Sequence, residues 1–178
     1  MTRKVVAETK KKSDKSKKVI LAADPMGAVL KNSVKKHLES EGYEIIDYGT
    51  DCAENFVTYF GIAAKAAKAI QKGIADQGIV FCGTGMGVSI TANKFKGIYC
   101  GLIESEFTAG ECKSINNCNM LAMGSRVISE ARANMAADAW LNNKFAVGNF
   151  PPIPGVDIKE LLTAGLKGIA KIEGENFK

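Results

Sequence analysis

The chain has 178 residues, of which 46% are hydrophobic and 24% charged, and its net charge is +5. This balance predicts one globular domain with a sizeable core. No apolar run approaches the roughly 18 residues of a membrane helix, and none forms a secretory leader. Residues 1–18 carry eight basic and two acidic side chains, so that the rest of the chain is almost neutral. We expect residues 1–17 to form a disordered, solubilising tail, with an arm for nucleic acid or a membrane surface as the less favoured alternative.

The number and spacing of the cysteines and the histidine bear on whether the chain forms disulfides or binds zinc. The chain has five cysteines, an odd number without a Cys-x-x-Cys pair, and its one histidine is His37. These features predict free thiols in a reducing, cytoplasmic compartment and no zinc site. His37 lies among lysines in a predicted helix, where we expect a solvated surface residue.

Strand and helix patterns alternate from residue 18 onward. The first strand, 18–24, precedes a helix whose apolar positions are Val29, Leu30, Val34 and Leu38 and which ends at Gly42. The further strands are predicted at 43–50, 78–83, 97–103 and within 119–128. The further helices are predicted at 61–73, 88–95, 105–115, 129–142 and 156–173.

This alternation predicts a three-layer α/β/α, Rossmann-like fold with a five-stranded parallel sheet and right-handed crossovers. We expect residues 18–145 to form the domain. Residues 146–178, which begin with a proline-rich segment, are expected to form a C-terminal extension and helix. Ligands of such folds bind beyond the carboxyl ends of the strands. The polar residues at these ends are Asp24, Thr50, Cys82, Glu104, Ser105 and Asn116–Asn119.

The segment "GIVFCGTGMGVSITANKFKG" carries the strongest local signal. Cys82 ends a predicted strand, and glycines follow at positions 83, 85 and 87. The spacing matches neither the dinucleotide-binding fingerprint nor the Walker A loop. Glycines at a strand end permit close approach of an anionic ligand, and a thiol beside them could act as a general base. A buried cysteine at a tight turn explains the pattern almost equally well.

Three segments together resemble one family. The segment above closely resembles the signature of the type B ribose-5-phosphate isomerases and the galactose-6-phosphate isomerase subunits. "LAADPMGAVLKNSVKKHLESEGYEIIDYGT" is similar to the first strand, helix and second strand of that family, and "NCNMLAMGSRVI" to its late Asn-x-Leu-x-x-Gly-x-Arg-Val-Ile segment. The resemblance covers roughly residues 18–145 in order.

The resemblance implies an aldose–ketose isomerase of a phosphorylated sugar that works through a cis-enediolate without a metal ion or an organic cofactor. Cys82 would be the base, because Val88 stands where some members carry a carboxylate. Thr84 and the amides of Gly83, Gly85 and Gly87 would bind the oxygen that gains charge. The other implied substrate ligands are Asp24 for sugar hydroxyls, Asn116 near the enediolate, Arg126 for phosphate, and Tyr59. A second subunit, in a dimer or tetramer, would complete the pocket and receive the C-terminal helix.

Four departures from the family pattern bear on the substrate. Ile115 replaces the histidine that opens the sugar ring, and Pro25 follows Asp24 in place of a polar residue. Phe60 follows Tyr59 where the family has proline, so that Tyr59 suits a core or interface role equally well. The C-terminal arginine cluster is missing, and Lys159 or Lys167 would have to replace it.

Three hypotheses remain open at this point. The chain is a sugar-phosphate isomerase with ribose 5-phosphate, a tetrulose 4-phosphate or a hexose 6-phosphate as substrate. Alternatively, it is a non-catalytic sugar-phosphate binder or the partner subunit of a hetero-oligomeric isomerase. The third is another activity on the same scaffold, such as isomerisation of an unphosphorylated sugar.

Overall fold

The sheet is parallel throughout and has the strand order β2-β1-β3-β5-β4. A computed structural model describes residues 17–52, 54–148 and 150–177. The tail predicted at 1–17 therefore lies outside the described residues except for Lys17. The strands are β1 (Lys18–Ala23), β2 (Glu44–Asp47), β3 (Gly78–Cys82), β4 (Cys100–Leu102) and β5 (Met120–Gly124).

The helices confirm the predicted alternation. They are α1 (Ala28–Ser40), α2 (Tyr59–Gln71), α3 (Met86–Ala92), α4 (Glu106–Ser114), α5 (Glu130–Leu141) and α6 (Ile158–Asn176). Buried side chains of α1, α4 and α5 pack on one face of the sheet, and those of α2 and α3 pack on the other. The three-layer α/β/α prediction is therefore correct. Since all strands are parallel, their carboxyl ends meet at one edge of the sheet.

Helix α1 differs from the prediction at Val29 and His37, and it buries a lysine that the sequence pattern did not single out. Val29 is 65% exposed, whereas Lys31 is fully buried. His37 is half-buried rather than fully solvated, and its Nε2 lies 2.8 Å from both carboxylate oxygens of Asp138 on α5. The sequence pattern missed this pair because Asp138 lies 101 positions away.

Helix α6 contributes no residue to the buried core. It begins after Asp157, whose carboxylate accepts a hydrogen bond from the Glu160 amide at 3.0 Å, and it continues through Gly165 and Gly168. None of its residues is buried. Its polar contacts with the domain come from Glu173, which accepts hydrogen bonds from the Gly97 amide at 2.7 Å and the Tyr99 hydroxyl at 3.3 Å. Across the described part of the chain, no helix combines the length and the apolar character needed to span a membrane.

Candidate active site

The thiol of Cys82 lies at the carboxyl end of the central strand and is almost buried, with 6% of the residue exposed. The chain then turns at Gly85, which has a φ of +77° and precedes the first residue of α3. This left-handed conformation directs the Gly85 amide back at the Cys82 sulfur, to which it donates a hydrogen bond at 3.1 Å. A thiolate accepts such a bond more strongly than a thiol does.

The turn differs from a simple cradle of free amides. The Gly85 amide is directed at the sulfur, and the Met86 amide donates to the Thr84 hydroxyl at 3.4 Å. Thr84 itself is exposed at the surface of the turn. The segment therefore contacts the Cys82 sulfur through one amide and presents the exposed Thr84 at its surface.

The loop after β5 lies against this turn. The Ser125 amide donates to the Cys82 carbonyl at 3.0 Å, and the Arg126 amide donates to the Gly83 carbonyl at 2.9 Å. A Cβ added at Gly83 would lie 3.5 Å from the Arg126 Cδ, so that the stem of this arginine runs beside the turn. Arg126 is exposed, and its guanidinium is a cation available to an anionic group of a ligand.

The loop after β1 lies on the opposite side of Cys82 from the loop after β5. Asp24 is 9% exposed, and its Oδ1 accepts a hydrogen bond from the Gly27 amide at 2.9 Å. A Cβ at Gly27 would lie only 2.5 Å from the Phe81 carbonyl carbon, so this close approach of α1 to β3 requires glycine. The ends of β1, β3 and β5 thus bring Asp24, Cys82 and Arg126 together.

A cavity of about 400 Å³ opens beside Asp24 and has mostly apolar walls. The ring of Tyr59 meets Phe60 edge to face at 5.4 Å between centroids. Tyr59 also covers Gly87, because a Cβ there would lie 2.7 Å from the ring. The cavity is lined by Asp24, Pro25, Met26, Phe56, Val57, Thr58, Tyr59 and Phe60.

Asn116 is placed elsewhere. It is exposed after α4 and lines a second cavity, of about 430 Å³, together with residues of β4. Leu102 lies in the wall of that cavity, and its Cδ1 would be 2.5 Å from a Cβ added at Gly85. The turn after Cys82 and the cavity of Asn116 are therefore neighbours, and the role of Asn116 stays a prediction.

The lysines considered as phosphate ligands lie on α6. Lys159 and Lys167 line a groove of that helix together with Asp157 and Glu160. These neighbouring carboxylates reduce the attraction of the groove for an anion.

Several supporting residues were not singled out from the sequence. Ser125 Oγ donates to the Met26 carbonyl at 2.6 Å and so joins the loops after β5 and β1. The Lys31 ammonium lies 2.6 Å from a carboxylate oxygen of Asp47 and 2.6 Å from one of Asp51. The two aspartates lie at the start of the loop that leads to α2. The Lys31 ammonium lowers the pKa of Asp51 chiefly through this hydrogen bond. The sequence carries no local signal for this cluster, because Lys31 lies 16 and 20 positions from the two aspartates.

The fold defines a parallel α/β protein, and the thiol of Cys82 lies at the strand ends where ligands of such folds bind. Comparison with known proteins then gives the family. The family model described as ribose/galactose isomerase matches residues 19–150. The chain therefore belongs to the ribose/galactose isomerase family and is an aldose–ketose isomerase.

Individual relatives agree with this family. The 4-deoxy-4-sulfo-D-erythrose isomerase of Clostridium sp. (strain MSTE9) is 40% identical over 128 residues, which are 72% of this chain and 80% of that protein. Ribose-5-phosphate isomerase B of Escherichia coli is 39% identical over 132 residues, 74% of this chain and 88% of that protein. The structure of Clostridium thermocellum ribose-5-phosphate isomerase B superposes with a TM-score of 0.78 at 34% identity, covering 89% of this chain and 98% of that one.

Proposed function

We propose that the enzyme interconverts the aldose and ketose forms of a short sugar that carries a terminal anionic group, with Cys82 as the base. One observation carries this proposal: the Cys82 sulfur accepts a hydrogen bond from the Gly85 amide at 3.1 Å. This sulfur lies between the two strand ends that are followed by Asp24 and Arg126. A proton-transferring group, a hydroxyl ligand and a cation for the terminal anion thereby lie at one edge of the sheet.

In the proposed reaction, the Cys82 thiolate removes the proton from the carbon next to the carbonyl group and returns it to the neighbouring carbon. The electron pair of the broken C–H bond forms the cis-enediolate, whose negative oxygen needs a donor. The Thr84 hydroxyl and the amides of Gly83 and Gly87 are the candidates for this donor. Asp24 would accept hydrogen bonds from sugar hydroxyls, and Arg126 would bind the terminal anion.

The substrate we favour has four carbons. Ile115, at the end of α4, has no group that transfers a proton, so the site lacks the histidine expected to open a sugar ring. A four-carbon aldose whose last oxygen carries phosphate cannot close a five-membered ring and needs no such group. The relative from Clostridium sp. is named for a four-carbon sugar that ends in a sulfonate, which supports the same substrate length.

The apolar cavity also favours a short substrate. Its walls consist largely of Met26, Phe56, Tyr59 and Phe60 side chains, which give few partners to additional hydroxyl groups. Ribose 5-phosphate and hexose 6-phosphates carry such additional hydroxyl groups, so they are the substrates to compare with a four-carbon sugar.

Helix α6 supports self-association. Its residues Leu161, Ile169 and Ile172 are between 42% and 61% exposed, although an amphipathic helix of 19 residues normally buries its apolar face. We propose that residues 146–178 pack on a second copy of the chain in a homodimer or tetramer. Light scattering should then show a dimer or larger for the wild type and a smaller species for the Leu161→Glu/Ile172→Glu variant. A monomeric wild type would contradict this part of the proposal.

The test of function is a substrate panel followed by proton exchange. Erythrose 4-phosphate, 4-deoxy-4-sulfoerythrose, ribose 5-phosphate, allose 6-phosphate and galactose 6-phosphate are compared for turnover. The reaction is then run in deuterated water, in which an enediolate mechanism exchanges the transferred hydrogen with solvent. Replacing a general base should lower kcat by at least about a hundredfold, so we expect this loss for Cys82→Ala.

Cys52→Ala is the matched control, since Cys52 is a partly buried thiol in the loop after β2. It should keep wild-type turnover. Full activity of Cys82→Ala would show that another group is the base. Tight binding of sugar phosphates by a wild-type protein that turns over none of them would instead favour the non-catalytic binder or partner subunit.

A further inference from the structure

Two thiols outside the proposed active site lie side by side. Cys112 is in the last turn of α4, and Cys118 lies just before β5. A Cβ added at Gly101 of β4 would overlap the Cys112 sulfur and would lie 3.8 Å from the Cys118 sulfur. The absence of a side chain at Gly101 thus makes room for the Cys112 sulfur, with the Cys118 sulfur within contact distance of the same position.

The backbones of the same two residues are also paired. The Cys118 amide donates to the Cys112 carbonyl at 3.1 Å, which holds the two backbones next to each other. The segment between them, from Lys113 to Asn117, includes Asn117 with a φ of +48°. A bond between the sulfurs would therefore close a short loop whose ends already meet.

The two thiols differ in acidity. The Cys112 thiol donates a hydrogen bond to the Cys118 sulfur, which lowers the pKa of Cys118 and, with burial, raises the pKa of Cys112. The nearby Lys113 ammonium lowers the pKa of Cys118 further. Burial raises the pKa of the neighbouring Cys100 to about 12, so that Cys100 stays a thiol. Cys118 is accordingly the nucleophile of the group.

A small oxidant can reach the pair. Both cysteines line the surface cavity of about 430 Å³ that also contains Thr108 and Asn116. Each of the two residues keeps 7–8% of its surface exposed. The size of the cavity suits part of a small peptide disulfide.

We propose that Cys112 and Cys118 are a redox modification site that forms a reversible disulfide by exchange with a low-molecular-weight disulfide of the glutathione type. The Cys118 thiolate attacks one sulfur of the small disulfide, forms a mixed disulfide and releases one small thiolate. Cys112 then loses its proton and attacks the Cys118 sulfur, which forms the internal disulfide and releases the second small thiolate. The protein dithiol is oxidised, and one small disulfide is reduced to two thiols.

The disulfide has one consequence for the proposed active site. It would restrict the movement of the loop that carries Asn116. A change in turnover is expected only if Asn116 binds substrate, so this consequence rests on the proposed function. Formation of the bond itself does not rest on that function, and the two can be measured separately.

The experiment exposes the full chain to mixtures of oxidised and reduced glutathione and follows intact mass. Trypsin cuts after Lys113, so the peptides 97–113 and 114–126 stay joined only if a disulfide links them. The Cys100→Ser variant is mapped in parallel, because peptide 97–113 also contains Cys100. We expect a loss of two hydrogen atoms, the joined peptides in both proteins, and full reversal by reduced glutathione.

Two variants test the order of attack. Cys112→Ser should stop at glutathione attached to Cys118, because the second attack is removed. Cys118→Ser should react with oxidised glutathione about tenfold more slowly at the 112–118 loop, since the more acidic thiol is lost. Oxidation of Cys52 or Cys82 in wild-type protein while peptides 97–113 and 114–126 remain separate would overturn the proposal.

Discussion

The backbone amide of Gly85 points at the sulfur of Cys82, 3.1 Å away, because Gly85 adopts a φ of +77°. The turn that delivers this amide has no room for a side chain. A Cβ at Gly85 would lie 2.5 Å from the Leu102 Cδ1 and 3.0 Å from the Met123 carbonyl carbon. The geometry of the proposed base therefore depends on glycine at this position.

Replacing Gly85 should damage both stability and activity. We expect Gly85→Ala to lower the free energy of unfolding by about 3 kcal/mol, from left-handed backbone strain together with overpacking. Turnover should fall as well, because relief of the overlap moves the amide away from Cys82. Urea unfolding and steady-state kinetics measure the two effects.

Gly97→Ala is the matched control for backbone strain. Gly97 has a φ of +76°, but nothing lies within 4 Å of its added Cβ. This variant should lose only about 1 kcal/mol and keep its activity. Equal losses of stability in the two variants would show that the contact with Leu102 and Met123 has no energetic weight.

Asn93 provides a second prediction. Its side chain accepts a hydrogen bond from the Cys100 amide at 2.9 Å and donates to the Cys100 carbonyl at 2.8 Å. It thereby ties α3 to the edge strand β4. Asn93→Asp places a carboxylate against that carbonyl group, and we expect the free energy of unfolding to fall by about 2 kcal/mol. Thermal or urea denaturation measures the change.

Gln71→Glu is the matched control for Asn93→Asp. Gln71 makes one exposed hydrogen bond, to the Lys96 carbonyl at 2.8 Å. Its loss should cost about 0.5 kcal/mol or less, because water replaces the partner. If Asn93→Asp were no more harmful than Gln71→Glu, the link between α3 and β4 would not be a significant stabilising contact.

The fold was predictable from the sequence, whereas much of the site was not. Alternating apolar runs and helical patterns located each strand, and the rule that ligands bind at strand ends pointed to Asp24 and Cys82. The strand order, which places β1 and β5 on either side of β3, cannot be read from alternation. The proximity of Asp24, Cys82 and Arg126 follows from that order.

The sequence patterns did not reveal the ion pairs between residues that are far apart in the chain. The pattern at His37 suggests a solvated helix position, yet its partner is Asp138. Lys31 pairs with Asp47, and only tertiary packing brings these partners near. Asn93 lies in the most distinctive motif of the sequence, and its side chain joins α3 to the edge strand β4. Short motifs determine local geometry, whereas the placement of side chains from different elements beside one another depends on contacts between distant segments.

The cluster around Lys31 predicts a pH dependence of stability. Lys31 lowers the pKa of Asp51 below its ordinary value of 3.8. A carboxyl with a depressed native pKa stabilises the fold above its unfolded pKa, and this contribution is lost as the pH falls through the lower native value. Asp51→Asn should therefore be less stable than wild type at neutral pH, with the difference vanishing in acid. Urea titrations at successive pH values measure it.

Removing the buried amine should have a larger effect. Lys31→Ala leaves the carboxylate of Asp47 with the Lys35 ammonium and the Gly49 amide, and we expect a loss of about 3 kcal/mol. Lys18→Ala is the control, because Lys18 pairs at 2.8 Å with Glu44, whose side chain is 58% exposed. That variant should lose less than about 1 kcal/mol. Similar losses for the two lysines would contradict a special role for the buried cluster.

Ile115 allows a gain-of-function prediction for the substrate. Its amide donates to the Glu111 carbonyl at 2.8 Å, so the end of α4 fixes the backbone while the side chain is half-buried. Ile115→His would supply an acid–base group of the kind that ring opening requires. We expect kcat/KM for ribose 5-phosphate to rise by about tenfold or more, with little change for a four-carbon substrate that has no ring to open. Coupled assays on both substrates measure the two ratios.

Ile115→Phe separates chemistry from shape in this experiment. The phenyl ring has a size and planarity similar to those of imidazole but transfers no proton. If Ile115→Phe improved ribose 5-phosphate turnover as much as Ile115→His did, the gain would come from reshaping the site. If Ile115→His improved neither substrate, the missing histidine would not explain the choice of substrate. The proposed preference for a short substrate would then have to come from the apolar cavity beside Asp24, whose walls offer few partners to additional hydroxyl groups.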